Sequence, residues 1–157
     1  MTEPKGDLDR TRTTEQRAAY ETTVGKGVCP FCGKVSEMPV EIRTRMIHQG
    51  AYWRAWHNPF PYPGHAAHIV LAPIEHWTQP SDVTPEAARE WMELNAHLIK
   101  TLNLPGGGIV MRFGDHEYKG GSITHLHSHI QVPDRSTFSL AVFYANESLL
   151  EFFKNAK

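Results

Sequence analysis

Three histidines stand at alternate positions in the run His125-Leu126-His127-Ser128-His129-Ile130-Gln131-Val132. Imidazole is nucleophilic when neutral, binds metals and passes protons near neutral pH, so any of these is open to the trio. In an extended strand, alternate side chains share a face, which sets His125, His127, His129 and Gln131 on one side. Leu126, Ile130 and Val132 fall on the other, with Ser128 as the weak member of that apolar set. Neighbouring imidazoles are then about 6–7 Å apart and the outer pair about 13 Å. Two of them can converge on one metal ion, whereas three on a straight strand hardly can. At least two roles are needed. Just upstream, Lys119-Gly120-Gly121-Ser122 offers paired glycines whose backbone N–H groups can approach an anion, plus a hydroxyl. Hairpin geometry explains that turn equally well. The only cysteines, Cys29 and Cys32, sit at the C-x-x-C spacing of half a zinc site, and ten histidines are available to complete it. A redox dithiol would open a helix in a thioredoxin-like βαβ pattern, which is not legible here.

These groups need elements to hold them. Residues 1–24 are polar and read as an N-terminal extension, partly disordered, with the first ten residues unstructured and a helix over 14–22. Residues 25–157 read as a single domain. Strands are expected over 41–47 and 51–57, joined through Gln49-Gly50, and over 68–72, ended by Pro73. The loop Asn58-Pro59-Phe60-Pro61-Tyr62-Pro63-Gly64 must be non-helical, because proline fixes φ and donates no hydrogen bond. The clearest helix starts at Thr84, with Pro85 in its first turn, and turns Ala88, Trp91, Asn95, Leu98 and Leu102 to one face. Leu104-Pro105-Gly106-Gly107-Gly108 stops it. Further strands are expected over 109–113, 123–132 and 138–144, with a short helix near 148–155. Hairpins beside segregated helices give an α+β fold with an antiparallel sheet flanked by helices.

The segment Gly121-Ser122-Ile123-Thr124-His125-Leu126-His127-Ser128-His129-Ile130 resembles the signature of the histidine-triad (HIT) superfamily, in which histidines alternate with apolar residues. Ser128 and Gln131 stand where the family is usually apolar. His57-Asn58-Pro59-Phe60-Pro61-Tyr62, followed by His68-Ile69-Val70-Leu71-Ala72-Pro73-Ile74-Glu75-His76, is similar to the family's other half-site. There a strand ends in an acidic or amide residue and a proline-containing loop, and a histidine opens the next strand, which leads into proline–x–x–histidine. The likeness spans roughly residues 29–133. It implies a HIT-like fold whose sheet continues across a homodimer. It also implies that His127 is the nucleophile, forming a nucleotidyl-histidine intermediate that divides one difficult displacement into two. His129 would contact the phosphate with Gly121 and Ser122, Asn58 would face the ribose, and His68 would stand behind the triad. Relatives with an N-terminal C-x-x-C complete its metal site with the histidine of proline–x–x–histidine and the first of the triad. Here that gives Cys29, Cys32, His76 and His125, a closed structural zinc site. A second register, His127-Ser128-His129-Ile130-Gln131, resembles the transferase variant with glutamine for the third histidine, and would move the nucleophile to His129. Ser122, three residues before His125, favours the first register.

A net charge of −1 gives no general pull toward nucleic acid or anionic membrane, so any phosphate must be held by local groups. No run approaches the ~20 apolar residues of a membrane span, and the N-terminus lacks an apolar signal core. Two close cysteines suit a reducing cytoplasm. The expectation is a cytoplasmic HIT-type nucleotide hydrolase or nucleotidyltransferase with structural zinc. Its partner would be a small nucleotide conjugate, of dinucleoside polyphosphate or nucleoside phosphoramidate type. Two rivals stand beside it: a metal-dependent hydrolase or oxygenase using the strand histidines as catalytic ligands, and a zinc-stabilised nucleotide-binding module without turnover.

Overall fold

The computed structural model describes residues 5–114 and 116–136 of the 157. Its framework is one antiparallel sheet in the order β1-β2-β3-β5-β4. The strands are β1 Met46–Gln49, β2 Trp53–His57, β3 His65–Pro73, β4 Gly108–Arg112 and β5 His127–Pro133. After β3 the chain crosses the sheet through a long helix and returns as the far strand β4, and β5 fills the gap. The histidine strand is therefore interior, paired on both sides. Val70 and Val110 flank His129, and Arg112 stands opposite His127.

Period-two alternation divides the sheet into two cores. Trp53, Ala55, Ile69, Leu71 and Ile130 face the long helix α3 (Pro85–Thr101) and pack on its Leu94 and Leu98. Trp56, Val70 and Ala72 face the other way, under Cys29, Phe31, Ile42 and the helix α1 (Thr14–Glu21). Helix α3 starts where expected: Thr84 Oγ1 accepts the Ala87 N–H at 3.2 Å, and Pro85 occupies the first turn. Its inner face differs from the expected one. Ala87, Leu94, Asn95 and Leu98 are buried, while Ala88 and Leu102 are exposed. The Trp53 indole N–H donates to Ala87 O at 2.8 Å and fixes this phase from the sheet side.

Three other expectations are corrected. Residues 41–47 are not one strand: a helical turn α2 (Val40–Arg43) precedes β1. Its backbone closes on Pro39 O and Val40 O, and Ile42 anchors it in the core, so local hydrogen bonding overrides strand propensity. The strand expected over 123–132 begins only at His127. Residues 122–126 pair elsewhere, with Leu126 N–H donating to Trp77 O at 2.7 Å and Ile123 bridging to Gly6. Disorder over the first ten residues is corrected for residues 5–10: the backbone of residues 5–7 pairs with residues 122–124, and Leu8–Arg10 form a helical turn. A helical turn α4 (His116–Lys119) precedes the glycine turn. The strand expected over 138–144 and the helix near 148–155 lie outside the described residues. No helix among the described residues is long and apolar enough to cross a membrane.

Candidate active site and metal centre

His125 lies just before β5, outside the regular strand, and this frees its ring to turn away from His127 and toward the cysteines. Nδ1 of His125 stands 3.4 Å from Sγ of both Cys29 and Cys32, and 3.2 Å from Nδ1 of His76. Cys32 Sγ and His76 Nδ1 are 3.1 Å apart. The four ligand atoms all lie within 4.8 Å of one another. A tetrahedron with Zn–N and Zn–S bonds of about 2.0–2.3 Å has edges of roughly 3.3–3.8 Å, so the set fits that ion with small adjustments. The proton positions agree. His125 Nε2 lies 2.9 Å from Pro73 O, which can only accept, so Nε2 carries the hydrogen and Nδ1 turns its lone pair to the cluster. Hydrogen bonding from Cys29, supported by His125 and His76, holds the Cys32 thiol down to about 4, while the same hydrogen bond and burial push Cys29 up. A deprotonated sulfur is what a metal takes. Arg54, buried in β2, supports the cysteine turn by donating to Gly33 O at 2.7 Å.

The same reasoning assigns the other two histidines. His127 Nδ1 lies 2.7 Å from the backbone oxygen of His125, so Nδ1 donates and the Nε2 lone pair is left for the pocket that His127 lines. On the next turn of the pleat, His129 Nδ1 sits 2.9 Å from His68 Nε2. The Tyr62 backbone N–H, at 3.4 Å, and the Asn58 amide, at 3.3 Å, both point donors at His68 Nδ1, and the same amide lies 3.2 Å from Nε2. With Nδ1 accepting, the His68 proton is on Nε2 and His129 Nδ1 accepts it. The remaining proton of His129 is then on its own Nε2. One ring offers a lone pair and its neighbour an N–H, with centroids 4.9 Å apart. Burial holds His127 and His68 down to about 3 and His129 well below its ordinary value, so all three are neutral near pH 7.

The pocket brings together Asn58, Gly121, Ser122, His127 and His129. Asn58 Oδ1 accepts the Phe60 N–H at 2.9 Å, which orders the proline loop. His68 does not line the pocket; it is buried beside His129. His125 faces the cysteines, so the three alternating histidines do not converge on one ion. Ser128, odd in an apolar set, is fully buried and accepts the Trp91 indole N–H at 2.8 Å, locking α3 to β5. Sequence reasoning missed the cations. Arg10, Arg12 and Arg112 all line the pocket, and no carboxylate among the described residues does. Arg112 had a signal in the strand Ile109-Val110-Met111-Arg112, but its place opposite His127 depends on a strand register that only the folded sheet reveals.

No protein-family model matches the sequence, and no curated protein matches it. Solved structures do resemble it, several of them histidine-triad proteins. One is a histidine triad nucleotide-binding protein from Candida albicans, with a TM-score of 0.49, 15% identity, and 70% of this chain and 82% of that one covered. Another is a Zn-bound histidine triad family protein from Mycobacterium smegmatis, with a TM-score of 0.45 and 17% identity over 71% of this chain and 87% of that one. A diadenosine triphosphate hydrolase from Plasmodium falciparum has a TM-score of 0.45 and 16% identity, covering 69% of this chain and 70% of that chain. With identities of this order, function has to come from this chain's own side chains.

Proposed function

We propose that this chain is a histidine-triad nucleotide hydrolase or nucleotidyltransferase that works through a nucleotidyl-histidine intermediate. The observation that carries this reading is the 2.7 Å hydrogen bond from His127 Nδ1 to the His125 carbonyl. It leaves the nucleophilic Nε2 in a pocket that supplies N–H donors and cations and, among the described residues, no carboxylate. In the first step Nε2 bonds to the α-phosphorus as the bond to the leaving group breaks. The imidazolium that forms is stabilised through Nδ1–H by the carbonyl. His129 Nε2–H donates to a non-bridging oxygen as charge develops there, beside Gly121 and Ser122. In the second step water, or another acceptor, displaces the nucleotide and His127 returns to its starting state. The second register is disfavoured, because His129 carries its pocket-facing proton where a nucleophile needs a lone pair, and Gln131 does not line the pocket.

Zinc, held by Cys29, Cys32, His76 and His125, would be structural, since four protein ligands leave no open position. Asn58, which lines the pocket, would meet the ribose. A homodimer that continues the sheet is supported by β4, which has no second strand beside it among the described residues and exposes Ile109. A cytoplasmic setting suits the paired free thiols.

Trapping tests the reading. Protein mixed with an adenylated or guanylated conjugate and quenched in alkali should gain the mass of one nucleotidyl group on the peptide containing His127. His127→Asn should lose the adduct and turnover while keeping its zinc. An adduct on His129 instead, or turnover surviving in His127→Asn, would refute it.

A further inference from the structure

The segment before α1 is docked by its backbone against the glycine turn. Asp7 N–H donates to Ser122 O at 2.8 Å, and Thr124 N–H to Lys5 O at 3.3 Å. Between them Gly6 approaches so closely that a Cβ there would stand 2.5 Å from Ser122 O and 3.2 Å from a Val24 methyl. No side chain fits without lifting the segment. From this anchor the chain runs along the pocket rim and delivers Arg10 and Arg12 to its lining. Arg10 is paired with Asp7 at 3.2 Å, but Arg12 makes no ion pair among the described residues. Its guanidinium lies 4.0 Å over the Tyr62 ring and donates through Nη2 to Phe60 O at 2.5 Å. Tyr62 stacks on His68 at 5.1 Å and accepts a hydrogen bond from Arg112 at 2.8 Å. Two like charges are thus held on one tyrosine, beside the histidine placed to donate to phosphate. An anion in the pocket would lie in the field of both.

We propose that this N-terminal strap belongs to the binding site and that Arg12 is a specificity-determining residue on it, holding the oxygens of a second phosphate joined to the one attacked. The proposal rests on the nucleotide reading above and narrows its substrate class to conjugates whose leaving group is itself anionic. A guanidinium edge is suited to two phosphate oxygens at once.

The test is binding, apart from turnover. Full-length protein carrying His127→Asn is titrated calorimetrically with AMP, ADP, GMP and GDP, with and without a change at Arg12. The diphosphate should bind more tightly than the monophosphate of the same base. Arg12→Gln should weaken the diphosphate about tenfold or more and the monophosphate by less than about twofold, with Arg12→Lys between. Gly6→Val should repeat the Arg12→Gln pattern with zinc content unchanged. Equal weakening of both nucleotides, as when Arg12 stacks on the base, would overturn the proposal. So would an undiminished diphosphate preference in either variant, or failure of all four to bind. Adduct formation on His127 is scored separately in protein with that histidine intact. If no adduct forms while the Arg12-dependent preference is present, the catalytic reading fails and the binding proposal stands.

Discussion

His125 lies between the candidate metal cluster and the proposed nucleophile, and removing zinc from that cluster should reveal a coupling between them. Its Nδ1 faces both thiols at 3.4 Å, while its backbone carbonyl takes the His127 proton at 2.7 Å. Phe31, between the two cysteines, packs edge-on against both rings, with centroids 5.9 Å from His125 and 5.4 Å from His127. Chelation frees the cysteine turn, and with it the packing that holds the nucleophile. With free zinc about a thousandfold above its dissociation constant, mass action contributes about 4 kcal/mol to folding. For a chain of 157 residues with an unfolding entropy near 2.1 cal/mol/K per residue, that corresponds to a Tm shift of roughly 12 °C. Calorimetry before and after chelation, with zinc read by mass spectrometry, measures the shift, and adding zinc back should reverse it. Turnover of the still-folded apo protein should fall on the order of tenfold or more at a temperature well below its Tm, as His127 loses its orientation. An apo protein with unchanged Tm and full turnover would refute the coupling.

Ser128→Ala leaves the part-buried Trp91 indole N–H without its acceptor and should destabilise the fold by about 1–3 kcal/mol in urea unfolding. Adding Trp91→Phe should recover part of that cost; strictly additive losses would mean that the hydrogen bond contributes nothing of its own. His68 is held down to about 3 by burial, with His65, Arg12, Arg112 and His127 adding to the effect. Its unfolded form takes up a proton near pH 6.5 that the folded form refuses, so the stability it contributes is complete above pH 6.5 and is lost as pH falls toward 3. The slope it adds approaches one proton, ~1.4 kcal/mol per pH unit, and His68→Gln should flatten stability against pH in that window. An unchanged slope in His68→Gln would show that the ring titrates normally in the fold. His68→Gln should also lower kcat more than it raises KM, because it removes the ring behind His129 and no wall of the pocket.

The alternating histidines, the C-x-x-C step and the proline loop were legible because each is local: residue type and spacing alone limit what such groups can do. Spacing also required the three imidazoles to divide their work. The Thr84-Pro85 helix start was readable for the same reason, since a cap is satisfied within four residues. What the sequence could not convey was how His125 leaves the strand to reach Cys29, Cys32 and His76, because that depends on backbone partners at Trp77 and Pro73, about fifty residues away. The proton positions on His127 and His129 were equally hidden, being set by a carbonyl and by a ring on another strand. Ser128 looked like a defect until α3 supplied its indole, and Arg12 looked like part of a free polar extension until Gly6 seated it beside the pocket. Composition and spacing determined which chemical groups exist here. Only the tertiary structure decided which lone pair, proton and charge each of them presents, because those depend on hydrogen-bond partners distant in the chain.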